Sequence, residues 1–346
     1  MTAPAITGIA NDSYTNQNVS LNVSEENVKV FVNGVEKTLA ELKNISEEKN
    51  YTVEVVDQAF NSTSITFVID KTAPVITVAD LKENFTKNGN ITVTDANAFD
   101  VVIARGEVKE TVTAKLVEDK YVANIELETN GTYTITATDK AKNSVAKTIL
   151  YDENGALVNN EDELRSALED ANIQTIYLNK DIEELKERII INRPVTINGN
   201  DKKLTFTADI NTAPYGERQG IVVTSNDVVI NDLTVQMNAV EGNDTWTGTY
   251  AIQVYNGSAT LNNIIATKAD GGIFANNSTI KLTGTIDVSG NEFGGIEVSN
   301  GSPVLDATVA TLVNTTEAFK KPTIWTDKTI NAVVNVSGLT AVDNIK

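Results

Sequence analysis

The sequence predicts an all-β protein in which two antiparallel β-sandwich modules precede a parallel β-helix capped by a single α-helix. Three observations carry this reading. The segment YTVEVVDQAFNSTSITFVID (51–70) returns without a gap as YTITATDKAKNSVAKTILYD (133–152). Beyond about residue 155 the chain repeats at a shorter interval: Gly271-Gly272-Ile273 comes back 23 residues later as Gly294-Gly295-Ile296. One stretch alone, NEDELRSALEDA (160–171), has the periodicity of an amphipathic helix. Repeats of this kind mark arrays and solenoids, whose units bury little until a neighbour stacks on them.

The modules come first. Both copies of the long repeat alternate apolar and polar residues at period two and are rich in Thr, Val, Ile and Tyr, which predicts half-buried antiparallel strands. Between the strands of each copy sit Asp57-x-Ala59-x-Asn61 and Asp139-x-Ala141-x-Asn143. The Asp is expected to accept hydrogen bonds from turn N–H groups and the Asn to take a left-handed φ, which together build a tight turn. This is structural chemistry rather than catalysis. TAPAIT (2–7) is echoed by TAPVIT (72–77), and the second copy lies between strand-rich blocks, so it reads as a linker. The first then reads as the same linker cut from an upstream module, and the chain as a fragment of a longer array. The modules are expected at residues 1–72 and 73–153. The repeat offset grows from 70 at the linker to 82 at the last strands, which places about twelve extra residues near 101–119 of the second module.

A different texture occupies residues 154–346. In the helical stretch, Leu164, Ala167, Leu168 and Ala171 share one face, and Asn160 with Glu163 predicts a capping box. The following units each read as strand, polar turn, strand, small-residue turn, strand. Aligning them puts Asn198, Asn231, Asn262, Thr283, Asp306 and Asn331 in one column, as expected where coils stack about 4.8 Å apart and one bend recurs at every level. Gly271, Gly272, Gly294 and Gly295 are expected to supply unusual φ at another corner. The helix is expected to cover the open edge of the first coil. The competing arrangement, an open sandwich of hairpins, needs tight two-residue turns that this region mostly lacks.

Composition narrows the function. A formal charge of −19 over 346 residues argues against nucleic acid and anionic membrane surfaces as partners. With no histidine and no cysteine, disulfides, thiol nucleophiles, tetrahedral zinc sites and imidazole acid/base chemistry are all absent. There is no apolar run of 18 residues that would read as a membrane-spanning helix, and Met1-Thr2-Ala3-Pro4 does not read as a signal peptide.

The D-x-A-x-N turn followed by a final strand and then DKTAP (70–74) resembles the tandem immunoglobulin-like repeats of bacterial cell-surface proteins, over about residues 4–150. Those repeats usually carry Gly ahead of the Asn, where this chain has Phe60 and Lys142. The helix-capped start followed by TIYLNKDI (175–182) and PVTINGN (194–200) resembles the right-handed, pectin-lyase-like β-helix family, over about 155–346. That second resemblance implies possible polysaccharide lyase or hydrolase chemistry. Lyases of this shape need a cluster of Asp ligands for calcium and a basic residue, usually Arg; hydrolases need closely placed acids. Here acids such as Asp227, Asp232, Asp270, Asp287, Glu292, Glu297, Asp306 and Asp327 fall on different registers, and no Arg lies beyond Arg218. No catalytic residue is therefore assigned.

Binding is the remaining question. Two adjacent coils carry insertions at one corner, 208–220 and 238–250, which brings Tyr215, Glu217 and Arg218 near Glu241, Asp244, Trp246 and Tyr250. Of these, Tyr215, Arg218, Asp244, Trp246 and Tyr250 are the candidate ligand-binding residues, because aromatic faces beside carboxylates and amides suit sugar rings. The alternative is that Trp246 and Tyr250 fold inward and pin a long loop. Trp325 points opposite to Ile324, either to solvent or against a terminal extension. No metal site or cofactor is assigned, although Ca²⁺ could bind at domain joins through pairs such as Asp152-Glu153. The expected role is a non-enzymatic structural or adhesive component of a bacterial cell surface or cell wall, either an S-layer-like lattice subunit or an adhesin stalk and head. Its partners would be copies of itself or surface glycans. The alternatives are a carbohydrate-binding head built on the two loops, and a polysaccharide lyase or hydrolase.

Overall fold

The computed structural model describes residues 2–214, 216–238, 246–315, 322–327 and 329–337. Strands dominate, and among the described residues the single α-helix is Glu161–Glu169. The chain divides into two compact units, 1–153 and 154–346.

The first unit holds two separate apolar cores. Around the first, Lys49–Val56 and Ser62–Ile69 pair antiparallel at the centre of a five-stranded sheet. Tyr51, Val53 and Val55 are buried while Thr52 and Glu54 are exposed, the period-two pattern of the sequence. The second core draws Ile76, Val78, Ile91 and Val93 from a four-stranded sheet and Phe99, Val101, Ile135 and Ile149 from a five-stranded one. Where the first module has the short 3-10 turn Glu41–Lys43, the second has an added hairpin, Lys115–Val117 with Lys120–Glu126.

The repeated turn closes as its carboxylate predicts, with one correction. Asp57 accepts from the N–H groups of Ala59 and Asn61, both at 2.8 Å, and from Asn61 Nδ2 at 2.8 Å. Asp139 holds Asn143 in the same way. The left-handed residue is not the Asn but the one before it: φ is +65° at Phe60 and +74° at Lys142. The turn therefore bears the strain of a side chain in the left-handed region at both positions. The Asn is instead spent on its amide, which ties the turn to the Asp.

In the second unit, Asn160 caps the helix by accepting from Glu163 N–H at 2.9 Å. The reciprocal arm of the expected capping box reaches one residue further back, with Glu163 Oε2 accepting from Asn159 N–H at 2.8 Å. The helix ends at Glu169, so Ala171 lies beyond it and is exposed; Ile173 takes the buried position instead. Arg193 donates to the carbonyls of Ala167 and Leu168, both at 2.8 Å, and so satisfies the end of the helix. Leu164, Ala167 and Leu168 join the same core as the strands that follow.

Those strands alternate between two sheets, and every pairing among them is parallel. One sheet is nine-stranded and the other six-stranded, and consecutive laps of chain pair in both, with local register shifts in the nine-stranded one, which is consistent with a parallel β-helix. The hairpin alternative would have required antiparallel pairs. The polar column holds for four laps: Asn198, Asn231, Asn262 and Thr283 are in register. Asn231 Nδ2 donates to Asn198 Oδ1 at 2.9 Å, and Thr283 Oγ1 to Asn262 Oδ1 at 3.0 Å. The ladder then breaks. A register shift sets Thr283 opposite Val309, and Asp306 falls in line with Lys281 and Asn335 rather than joining the column; Asn331 is exposed and lies outside the strands.

Candidate functional site

The six-stranded sheet comprises Ile189–Ile191, Gln219–Val223, Tyr250–Tyr255, Gly271–Asn276, Gly294–Ser299 and Ile324–Thr326. Its inward residues, Ile191, Val223, Ile252, Ile273, Ile296 and Ile324, are buried in the core. Period two sends the residues between them outward. Strand pairing places Ile190, Val222, Gln253, Phe274, Glu297 and Trp325 in one continuous outward row. Six rungs at strand spacing make a face roughly 24 Å long. Beside this row runs a second one, in which Tyr255, Asn276 and Ser299 are in register.

One end of this face is a cluster of rings. Tyr250 stacks on Phe274 with centroids 4.6 Å apart, and Trp246 meets Tyr250 and Phe293 edge-on at 5.8 and 5.2 Å. Tyr250 can lie across the next strand because that strand begins with Gly271: a Cβ there would sit 2.6 Å from the tyrosine ring. The rings of Trp246, Tyr250, Phe293 and Trp325, with Asp270 and Glu297, line a cavity of ≈ 320 Å³. A wider trough of ≈ 720 Å³ continues along the sheet past Gln253, Asn276 and Ser299 to Ile190 and Arg188. The Tyr250 hydroxyl donates to Glu297 Oε2, and Ser299 Oγ donates to Glu297 Oε1 at 2.7 Å, which fixes the carboxylate on the cavity wall.

The segment that carries Trp246 is held from below. Asp270, only 1% exposed, accepts at a single oxygen from Thr247 N–H (2.7 Å), Thr247 Oγ1 (2.8 Å), Gly248 N–H (2.5 Å) and Thr249 N–H (3.1 Å). Arg218 bridges the two inserted loops by donating to Ala213 O at 2.8 Å and Thr247 O at 2.9 Å. The loops lie side by side at their other end too, where Asn211 donates to Asn238 O at 2.9 Å.

Of the residues singled out from sequence, Trp246 and Tyr250 line the cavity, while Arg218 is a clamp behind it. Tyr215, Asp244 and Glu241 lie outside the described residues. Tyr250 is buried within the cluster, whereas Trp246 keeps 41% of its surface exposed. Trp325 is equally exposed and faces the cavity. Sequence reasoning did not assign Phe274, Phe293 or Glu297 to a site. The signal for two of them was available, since Phe274 and Glu297 each directly follow a Gly-Gly-Ile.

The expected role of the glycines also changes. Among Gly271, Gly272, Gly294 and Gly295, only Gly294 has a positive φ, +156°. The others are required by close approach: a Cβ on Gly272 would lie 2.8 Å from Gly295 O, and one on Gly295 would lie 2.6 Å from Thr323 O.

Among the described residues, one group of three carboxylates is close enough to share a cation. Asp70, Asp95 and Asp139, all buried, each offer an oxygen within 4.8 Å of the others. Asn97 Nδ2 donates to Asp70 Oδ2 at 2.7 Å, and Asp95 Oδ1 accepts from Asn97 N–H at 2.7 Å. Burial, and then the neighbouring aspartate charges, push the carboxyls of Asp70 and Asp95 above the ordinary range. Raised folded-state values mean that the contribution to stability is complete below the ordinary carboxylate pKa and is lost as pH rises through the raised values. Asp95→Asn, which keeps an acceptor for Asn97 N–H, is therefore expected to stabilise the first unit at neutral pH by on the order of 1 kcal/mol in a chelating buffer. That gain should vanish below about pH 4, where the parent carboxyl is itself protonated. Melting temperature followed against pH for the two proteins measures it.

The family model described as "Putative pectate lyase-like adhesive domain" matches residues 155–271. No curated protein matches the chain. Among solved structures, a mixed-linkage glucan utilization locus protein of Bacteroides ovatus, SGBP-B, in complex with a mixed-linkage heptasaccharide, is 17% identical over 46% of this chain and 51% of its own, with a TM-score of 0.17. The match thus spans about half of that protein, and a likeness this low carries no argument about fold or function. No helix among the described residues is long and apolar enough to cross a membrane.

Proposed function

We propose that this chain is a non-enzymatic adhesive component of a bacterial cell surface, which binds glycans along the outward face of its six-stranded parallel sheet. In this reading residues 154–346 are a right-handed, pectin-lyase-like β-helix, and residues 1–72 and 73–153 are immunoglobulin-like modules that carry it. The observation that carries the reading is the row Gln253, Phe274, Glu297 and Trp325, continued by Trp246 and Tyr250. Ring faces that pack on sugar C–H groups, next to amides and a carboxylate that bond hydroxyls, are the chemistry of saccharide recognition. The adhesive-domain match over 155–271 supports the same role.

The polar groups favour binding over bond cleavage. The Asp270 oxygen that faces the Trp246 segment is taken up by four donors. Arg188 pairs with Glu217 at 3.5 Å and donates to Gly216 O, and Arg218 serves two backbone carbonyls, so both arginines near the face have structural work.

Glycan-array screening of the full chain, followed by titration of the best oligosaccharide, tests this. Trp246→Ala and Trp325→Ala are each expected to weaken binding by about 30-fold, the equivalent of a ~2 kcal/mol hot spot, with melting temperature unchanged. Binding that survives both substitutions removes the face from consideration. Release of unsaturated products or new reducing ends from a bound polysaccharide would replace adhesion with catalysis.

A further inference from the structure

We infer that the ring-lined cavity is a subsite for a positively charged amino sugar, a hexosamine whose amine is not acetylated; this rests on the proposed glycan-binding role of the face. Four aromatic rings, Trp246, Tyr250, Phe293 and Trp325, surround the cavity, and the acids Asp270 and Glu297 stand in its wall. Among the described residues lining it there is neither lysine nor arginine. The ring faces carry the negative part of the aromatic quadrupole, so they and the carboxylates act in the same direction and attract a cation. The formal charge of −19 on the whole chain adds to that field rather than opposing it.

The two acids are not equivalent. Asp270 is committed to the Thr247–Thr249 backbone and is nearly inaccessible. Glu297 lies partly exposed on the outward row, directly beside Trp325 and Phe274 in register, and is oriented by two neutral hydroxyls. Hydroxyl donors position a carboxylate without cancelling its charge, so its attraction for a ligand cation survives. A neutral hexose would use the ring faces and leave this charge unanswered, and a uronic acid would be repelled by it. An N-acetylated hexosamine keeps the shape of the sugar but loses the cation. Sugar hydroxyls can bond the carboxylate as well, but the free amine alone brings a positive charge to both the ring faces and the carboxylate.

The test is calorimetric titration of the full chain with three oligosaccharides of equal length: a glucosamine oligomer, its fully N-acetylated form and a neutral β-glucan. At about pH 6, where the amine carries its proton, the glucosamine oligomer is expected to bind at least about tenfold more tightly than the other two, within the range of a cation held by aromatic rings. Raising salt from about 50 to 500 mM should erode that preference and leave the neutral ligands little changed. Glu297→Gln, whose amide oxygen still accepts from one of the two hydroxyls while its NH2 can donate to the oxygen of the other, should reduce the preference to below about threefold. Equal binding of the three oligomers by the parent protein overturns the amino-sugar assignment while leaving the glycan-binding face intact. Failure of every oligosaccharide, on the array as well as here, overturns the glycan reading itself. Choline binding more tightly than monomeric glucosamine overturns the saccharide as the source of the cation.

Discussion

Asp270→Ala is expected to cost the 154–346 unit on the order of 4 kcal/mol and to abolish glycan binding. The buried carboxylate satisfies three consecutive backbone N–H groups and one hydroxyl through a single oxygen, and the backbone N–H of Asp270 donates to Thr249 Oγ1 at 2.9 Å. Alanine leaves those donors either buried without partners or forced toward water, and each buried orphan costs about 1–3 kcal/mol. The segment would then open and take Trp246 away from Tyr250 and Phe293, dismantling one wall of the cavity. Asp270→Asn separates charge from geometry, since an amide oxygen in the same place still accepts. It should lose about half as much stability and keep measurable binding, because hydrogen bonds to an ionised acceptor are roughly twice as strong as neutral ones. Calorimetric unfolding of the full chain, with ligand titration of each variant, reads both effects. An alanine variant that melts and binds like the parent would mean that other contacts hold the segment.

Gly295→Ala is the second large effect, at about 2–3 kcal/mol of destabilisation. The new methyl would lie 2.4 Å from Val288 Cγ2, which is completely buried, and 2.6 Å from the carbonyl oxygen of Thr323 in the next lap. Neither neighbour can retreat without breaking the stack, because the core side chain has no free volume and the carbonyl belongs to a strand ladder. Gly34→Ala is the control: a Cβ there meets nothing within 4 Å, and its φ of +79° leaves only the backbone cost of about 1 kcal/mol. Denaturant midpoints of the two variants should differ accordingly. Equal midpoints would show that the laps can slide apart to admit a methyl group.

Much of the architecture was legible from sequence because its causes are local or nearly so. Alternation at period two fixed which of Tyr51, Thr52, Val53 and Glu54 face inward, and it did the same for Ile324 and Trp325. The Gly-Gly-Ile repeat marked two laps that do stack in register, Gly271 on Gly294 and Ile273 on Ile296. The reason for the glycines was less accessible. A sequence shows that a side chain is missing, not whether a positive φ or an approaching backbone requires it, and here close approach governs three of the four. Phe60 and Lys142 give the converse case, in which left-handed residues carry side chains because the Asp–Asn clasp on either side dictates the turn.

What the sequence determined by itself was the kind of element at each place: strands of alternating pattern, one capped helix, repeated turns and a lack of histidine and cysteine chemistry. Only the tertiary structure decided which residues meet. Successive members of the outward row, Ile190, Val222, Gln253, Phe274, Glu297 and Trp325, are separated by 32, 31, 21, 23 and 28 residues, yet each step is one strand spacing. Loops absorb the differences in lap length, so no fixed period reveals the row, and the polar ladder from Asn198 is lost at Asp306 because a register shift interrupts the strand pairing after Lys281. Asp70, Asp95 and Asp139 likewise converge from separate strand ends. Register between distant strands is set by the packing of the whole core, and that packing is what turns scattered aromatics and acids into a single face.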